Sequence, residues 1–438
     1  MDPSDPPKVT ENNRLRNLLM LLIAYTLMLH IWSSAMAREP DYTLFVFGWI
    51  VMFALFLASI RVFGNSRHEW VAVGIGAVAL RLVLLDLPPV LSSDIYRYIW
   101  DANLFDLGIN PFQYAPDSPV VAALDNGSRY LINHPQMHTI YPPLAQVLFL
   151  GAYKWSPTIP ALKFLFVLFD LGIFLLIARR LRRIGEPVQR AAIYGLFPLV
   201  VVESAFSGHL DYAAVFFLLL AVLNYERERE IAGHVALAVS ILIKFVPIIL
   251  LPVVITRSRN KRRLWIIPAL LVLGYLPFVS AGKKLLTSLV IYCRHWNFNP
   301  FLFDGLAGLT RDPLAARIAA GLILVAVIAW CTWKRLPMTT AALVILGAWI
   351  LLTTTVHPWI LIWVLPFAIL KNIRAFLYLG FAAGLTYYAQ ISLITKGVWH
   401  LPGIIRWIEY LPFTLLLIAE IVVIFSARQH ANTASNVE

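Results

Sequence analysis

The sequence predicts an all-α, polytopic integral membrane protein with about 12–14 transmembrane segments, and three observations predict it. The 438-residue chain is 60% hydrophobic and only 14% charged, whereas soluble domains run about 45–50% apolar and about 25% charged. Its mean hydropathy is +0.74. Apolar runs of about 20 residues recur along the length, as the hydrocarbon thickness of a bilayer requires. Backbone groups in lipid must be paired internally, so these runs read as helices.

Taken in order, residues 1–16 form a polar cytoplasmic tail carrying Lys8, Arg14 and Arg16. The first apolar run is 18–32. Ala35-Met36-Ala37 follows and resembles a signal-peptidase site, but the first helix of a multi-spanning chain commonly remains as an uncleaved anchor. Cleavage there would leave every downstream orientation unchanged. Further runs centre near residues 52, 77, 171, 197, 218, 237, 250, 272, 323, 346, 364, 384 and 416. The transmembrane domain covers 17–427, and 428–438 is a second cytoplasmic tail. The only long loop, 86–160, is extracytoplasmic and carries short interfacial helices. Between Asp86 and Tyr141 it holds six of the 24 acidic residues.

Basic residues fix the sidedness. Arg61/Arg67, the cluster from Arg179 to Arg190, Arg227/Arg229, the cluster from Arg257 to Arg263, Lys334/Arg335, Lys371/Arg374 and Arg428 join the amino-terminal three. Together they put 22 of the 36 basic residues on the cytoplasmic side. That clustering between apolar runs also accounts for the net charge of +12, so no nucleic-acid partner is expected. The assignment requires 231–256 to cross twice. Lys244-Phe245-Val246-Pro247 interrupts this run, and proline favours a break there. The segment is therefore expected to be a short helical hairpin with Lys244 at its outer tip. Read instead as one long tilted helix, it would invert half the chain.

With this topology the polar residues that are hard to explain in lipid face outward together. They are Asp94 in the long loop, the turn from Glu203 through His209 to Asp211, Lys244, and His357 before Pro358. Charged groups at membrane depth line cavities or pair with one another. Each also has a plainer reading. Glu203, His209 and Asp211 can form a structural turn, Lys244 can snorkel to the headgroups, and His357 can cap a helix. Arg81 and Asp170 read as a buried pair without a catalytic role, and Asp101 and Asp106 as loop structure. Trp359 and Trp363 fit an interfacial aromatic belt. Cys293 and Cys331 are expected to stay unbridged. No zinc spacing, P-loop or dinucleotide-binding glycine pattern is present.

Several segments carry a family resemblance. Asp94-Ile95-Tyr96-Arg97-Tyr98, then Trp100-Asp101, Gly108-Ile109-Asn110-Pro111-Phe112 and Tyr114-Ala115-Pro116, resemble the first outer loop of polytopic GT-C glycosyltransferases. Thr139-Ile140-Tyr141-Pro142-Pro143-Leu144 is similar to the segment that closes that loop, and Gly208-His209-Leu210-Asp211 to a G-H-x-D turn. Lys244-Phe245-Val246-Pro247 resembles a lysine-bearing hairpin tip, and His357-Pro358-Trp359 a late outer turn. The likeness spans about residues 70–370. It is to bacterial polyprenyl-phosphate-mannose-dependent mannosyltransferases and, more distantly, to the catalytic subunit of the first GPI mannosyltransferase.

The resemblance implies a GT-C-like fold and a multi-pass protein of the bacterial cytoplasmic (inner) membrane with its active site facing outward. It also implies an inverting transfer of a hexose, mannose by family, from a polyprenyl-phosphate donor to a glycan, lipid or protein acceptor. Asp94 would be the general base. Lys244, with Arg97 or His357, would offset the charge of the departing phosphate. Tyr96, Tyr141, Glu203, His209 and Asp211 would hold the acceptor or sugar. Many relatives carry a second acid shortly before the loop aspartate, where this chain has Ser92 and Ser93. That argues against a divalent cation, so no cofactor is expected. A polytopic transporter or lipid flippase is the alternative, since broken helices with a mid-run lysine are also a transporter device. A non-catalytic scaffold or another glycan-assembly enzyme also stays open.

Overall fold

The structure is a computed structural model that describes residues 11–124 and 127–435. Lys8 with the rest of 1–10, Asp125, residues 436–438 and the Arg428 side chain lie outside the described residues. The described chain is helical, and its only strand-type pairing is one parallel bridge between Phe298 and Thr355.

The chain runs back and forth. Helices α1 (Glu11–Arg38), α2 (Tyr42–Val62) and α3 (Arg67–Leu82) come first. The long loop follows with α4 (Asp94–Asp106) and α5 (Pro143–Trp155), then α6 (Ile159–Arg183). Next come α7 (Gln189–Leu196) and α8 (Pro198–Ser207), a pair bent by 50° at Pro198, whose ring cannot continue the ladder. Then come α9 (Asp211–Tyr225), α10 (Glu230–Ile243), α11 (Val246–Arg257) and α12 (Lys261–Ala281). A second cap segment holds α13 (Lys284–His295) and α14 (Leu302–Thr310). The chain ends with α15 (Pro313–Trp333), α16 (Met338–Leu352), α17 (Leu365–Lys371), α18 (Ala375–Lys396) and α19 (Gly403–Ser435). Among the described residues, seven helices are long and apolar enough to cross a membrane, or eight with the bent pair as one span.

Local chemistry sets the boundaries. Ser66 and Glu69 form a capping box at the start of α3, satisfying two of its free N–H groups. Asp41 accepts from the Leu44 N–H at 2.7 Å and starts α2. The terminal helices outrun their apolar stretches. α1 begins at Glu11, inside the expected 1–16 tail, and α19 continues to Ser435, past residue 427. An apolar run marks where a helix crosses lipid, not where its hydrogen bonds end. Arg14, one turn into α1, reaches Glu69 at 3.4 Å.

Contacts between turns gather the basic clusters at one end of the bundle. Arg180 pairs with Glu226 at 2.6 Å, which also accepts from the Thr339 N–H at 2.9 Å. Arg257 donates to the Cys331 carbonyl at 3.2 Å, and Glu420 accepts from the Arg374 N–H at 2.7 Å. Segment 231–256 is a hairpin whose feet meet at this end. Glu230 accepts from the Arg259 N–H, and Arg259 pairs with Glu228. Lys244 sits at the far tip with an extended backbone, φ −154° and ψ 140°, which breaks the helix.

α9 is the centre of the bundle. Leu210, Tyr212, Ala213, Ala214, Val215 and Leu218 are all fully buried. Between α3 and α6, Arg81 pairs with Asp170 at 2.6 Å with both side chains wholly inaccessible. Arg81 also donates to the Ala77 and Gly195 carbonyls at 2.8 Å each. Peripheral helices α12, α15 and α19 leave Leu273, Leu276, Leu322, Val325, Leu415 and Val423 uncovered. Contiguous apolar faces of that kind suit lipid rather than water.

At the end opposite the basic turns, the long loop folds on its own small core of Trp100, Leu104, Val121 and Ile132. The second cap segment lies across it. Ser288 donates to the His138 carbonyl at 2.7 Å and Lys284 to the Gln113 carbonyl at 2.8 Å. Cys293 and Cys331 are both free thiols.

Candidate active site

Asp94 is the first residue of α4, where an acidic side chain complements the positive end of the helix dipole. Its N–H is held by the Ser92 hydroxyl at 3.3 Å. Its carboxylate is half-buried and accepts from Asn133 Nδ2 at 3.2 Å, so the returning arm of the loop orients it. Tyr98, one turn on, is buried on the same side of the helix and meets Tyr141 edge-on at 4.8 Å. Burial pushes the hydroxyls of both tyrosines well up, and the Asp94 charge pushes them further.

A second wall is built by the turn after α8. The last stretch of α8, Val202–Ser207, widens into a π-helical turn, a feature frequent at functional sites. It ends at Gly208 with φ +74°. A Cβ there would lie 2.5 Å from Ile95 Cδ1 and 3.0 Å from Lys163 Cγ. Only glycine therefore lets this turn close onto the start of α4, beside Asp94. Three residues later Asp211, fully buried, opens α9. Lys244 Nζ donates to both of its oxygens, at 2.8 and 2.7 Å, and Trp363 Nε1 to one at 2.7 Å. Charge-assisted bonds of this kind are short and strong. The Lys244 side chain stays 28% exposed. An ammonium has three N–H groups, so one remains for a partner on the open side.

The third wall is a stack of rings. Phe298 lies on His357 at 4.5 Å, His357 on Trp359 at 4.3 Å, and Trp359 on His209 at 4.2 Å, with interplanar angles of 17°, 3° and 19°. The bridge between Phe298 and Thr355 holds the first ring in place. Burial, with His209 and Lys244 nearby, pushes the His357 imidazole down to about 3. At neutral pH it therefore contributes a hydrogen-bonding edge, not a cation. Tyr292 of α13 completes the enclosure. Burial raises its hydroxyl, a bond to Thr355 opposes this, and the charges of Asp94 and Asp211 both add to it. Both carboxylates lie within electrostatic reach of this hydroxyl.

The structure brings Asp94, Tyr141, His209, Asp211, Lys244 and His357 to one end of the molecule. Glu203 lies one layer deeper. It is fully buried, accepts from the Tyr387 hydroxyl, and approaches His209 Nε2 at 3.3 Å. Arg97 is engaged within the loop, donating to Asp101 at 2.8 Å and to the Met137 carbonyl at 2.8 Å. Tyr96 is half-buried and packs on the loop's own core with Trp100. Asp106 pairs with Lys154. Sequence reasoning missed Asn133, Trp363 and the stacked partners of His357. The acidic carbon skeleton of the site was visible, but these partners come from distant segments with no spacing to link them. Among the described residues, no three His, Cys, Asp or Glu side chains gather as a metal site.

Residues 19–259 match the family described as alpha-(1->6)-mannopyranosyltransferase, N-terminal domain. That is more than half of the chain, from α1 to the end of the Lys244 hairpin. The chain belongs to this family. It is a multi-pass membrane glycosyltransferase, a mannosyltransferase. No curated protein and no solved structure matches it. The matched region of this mannosyltransferase carries Asp94, Asp211 and Lys244, while the late turn with His357 and Trp363 lies beyond it.

Proposed function

We propose that this mannosyltransferase moves a mannosyl residue from a polyprenyl-phosphate donor to a hydroxyl of an extracytoplasmic glycan, lipid or protein acceptor. The observation that carries the reading is the joint position of Asp94 and the Lys244–Asp211 pair at the end of the bundle opposite the basic turns. Basic turns favour the cytoplasmic side, so the site faces outward from the cell's inner membrane, away from soluble nucleotide sugars. A lipid phosphate can present mannose there. The likeness of the loop motifs to polyprenyl-phosphate-mannose-dependent enzymes, and more distantly to the first GPI mannosyltransferase, supports the same donor.

The step is one displacement. The acceptor oxygen bonds to the anomeric carbon, the bond from that carbon to the phosphate oxygen breaks, and Asp94 takes the hydroxyl proton. The leaving group is polyprenyl phosphate. Inversion to an α-(1→6) product requires a β-linked donor. The free N–H of Lys244 meets the phosphate, and Asp211 and Trp363 fix the ammonium in position before reaction. His357 adds a neutral hydrogen-bonding edge. Tyr141 and His209, with Asp211 and Glu203 behind them, shape the sugar and acceptor side, and Tyr96 and Arg97 hold α4 in the loop. Fixed side-chain charge takes the place of a divalent ion, because Ser92 and Ser93 stand where a second acid would supply ligands.

The test is transfer by the purified enzyme from a synthetic short-chain polyprenyl-phosphate mannose, compared with a nucleotide-linked mannose. Turnover with the lipid donor alone is expected. Turnover with the nucleotide sugar alone would overturn the reading. Single cysteines at 94, 244 and 357, in a Cys293→Ser, Cys331→Ser background, are expected to react with a reagent that cannot cross the membrane. Labelling of position 244 only from the cytoplasm would place the site on the wrong side.

A further inference from the structure

Helix α19 lies at the rim of the bundle with a largely uncovered apolar face, yet it carries a fully buried acid, Glu409. An ionisable side chain at membrane depth calls for a partner or a role. Arg406, three residues earlier on the helix, pairs with Asp304 of α14 at 2.6 Å instead. Glu409 turns to an amide. Its Oε2 accepts from Asn299 Nδ2 at 2.7 Å. The next residue, Tyr410, donates its hydroxyl to the Asn299 carbonyl at 2.8 Å and stacks on Phe301 at 4.4 Å. Two successive residues of α19 thus hold Asn299 by its side chain and by its backbone.

Asn299 sits in the left-handed region at φ +51°, which asparagine tolerates better than most residues. The residue before it is Phe298, the ring that lies on His357 in the stack. Phe298 donates its N–H to the Thr354 carbonyl at 2.9 Å, and its own carbonyl accepts from the Val356 N–H at 2.8 Å. The hold on Asn299 therefore reaches His357 by two short routes, the stacked rings and this backbone bridge. Trp399, in the turn before α19, packs on the same Phe298 ring at 5.1 Å. The clamp is short of one donor. Glu409 Oε1 and Asn299 Oδ1 are both buried and both without a hydrogen-bond partner. An ionised carboxylate has no hydrogen to give either. A proton on the acid supplies one, and so does an amide in its place.

We propose that Glu409 is a positioning residue for mannosyl transfer, an acid that locks Asn299 by hydrogen bonds and, through Phe298, sets where the His357 imidazole stands. It touches neither donor nor acceptor and acts only through the ring stack. Asn299, Glu409 and Tyr410 all lie beyond the matched residues 19–259. The inference rests on the transfer site assigned above.

The experiment uses the full-length enzyme in detergent and has two readouts. The first is hydrogen–deuterium exchange of the peptides that carry the Phe298 and Val356 amides. The second is kcat and KM for transfer, with whichever mannose donor, lipid-linked or nucleotide-linked, the wild type turns over. Glu409→Ala is expected to speed exchange at those two amides about tenfold or more, with the amides of α9 unchanged. It should lower kcat about tenfold and leave KM within about threefold of wild type. Glu409→Gln, which keeps an acceptor and adds the missing donor, should restore both. In a Phe298→Ala background the further loss from Glu409→Ala should shrink to less than about threefold, because the effect runs through that ring. Wild-type exchange or wild-type kcat in Glu409→Ala overturns the proposal. So does a loss in Glu409→Gln equal to that in Glu409→Ala, or full additivity with Phe298→Ala. Undiminished transfer in Lys244→Met counts against the phosphate reading instead, and the exchange and the double variant still decide the clamp. Should Glu409→Ala not fold, Tyr410→Phe, which removes the bond to the Asn299 carbonyl, takes its place, and wild-type values there are equally fatal.

Discussion

Arg81–Asp170 and Lys244–Asp211 are both ion pairs between helices of an apolar bundle, at 2.6 and 2.7 Å. The first is sealed, with neither side chain accessible; backbone carbonyls take the Nη1 donors of the arginine, and its Nη2 is closed off from any partner outside. The second buries only its carboxylate, and the lysine stays 28% exposed at a hairpin tip. Both satisfy the requirement that buried charge be paired. Only the second has an N–H left for a partner that arrives from outside. The contrast separates a charge kept for architecture from a charge kept for chemistry, and residue type alone would not have done so.

The largest effect on stability is expected at the sealed pair. Arg81→Leu leaves Asp170 buried and unpaired, which costs about 3–5 kcal/mol. Denaturant unfolding in detergent is the measurement, and Arg81→Leu with Asp170→Leu should recover most of the loss. A cost under about 1 kcal/mol would mean that water reaches the pair and that the two pairs are not different in kind.

Lys244→Met should act on rate more than on fold, lowering transfer on the order of 10²-fold, as loss of one preorganised charge-stabilising donor does. Its loss of stability should be the smaller of the two, since water can reach the site. EDTA should change wild-type transfer little. Complete loss in EDTA, restored by Mn²⁺ or Mg²⁺, would put the phosphate charge on a metal and return Lys244 to a headgroup contact.

A smaller effect is expected from Trp363→Phe, which removes one of the donors to Asp211 while keeping an aromatic ring. Hydrogen bonds to charged groups are worth about 1.5–3 kcal/mol. The loss should divide between unfolding midpoint and transfer rate. A variant identical to wild type in both would show that Lys244 alone fixes the carboxylate.

The effect that is smallest at neutral pH, and develops only in acid, is at His357. The folded pKa of His357 is depressed to about 3, so the unfolded chain binds its proton more readily. Its contribution to stability is fully present above the ordinary histidine value of about 6.5 and is lost as pH falls from there toward about 3. His357→Gln should flatten that acid-side decline in unfolding curves taken between those limits. An unchanged slope would show that the stacked imidazole titrates normally.

Much of the bundle was legible because lipid enforces simple rules. Each apolar run became a helix, and the basic flanks on both sides of 231–256 required the hairpin that brings Glu230 to Arg259. Asp94, Asp211 and Lys244 stood out because charge in an apolar chain demands an explanation. Arg97 was expected at the donor phosphate and Asp101 as loop structure; their i, i+4 pairing was not drawn from the sequence and accounts for the Arg97 guanidinium within the loop. The stack from Phe298 to His209 was not legible. Its rings come from three distant segments, and nothing in an aromatic residue's neighbourhood says whether it faces lipid or another ring. Trp363 was hidden for the same reason, reading as one more belt tryptophan until its N–H is seen on Asp211.

The most direct test of the central claim is the Asp94→Asn enzyme, purified and assayed for transfer from short-chain polyprenyl-phosphate mannose with donor affinity measured alongside. Asparagine keeps the size and the bond to Asn133 but cannot take a proton. A general base typically contributes about 10²–10⁴-fold in rate. The account predicts a loss in that range with donor affinity within about threefold of wild type. Near wild-type turnover would contradict it and remove Asp94 from the chemistry.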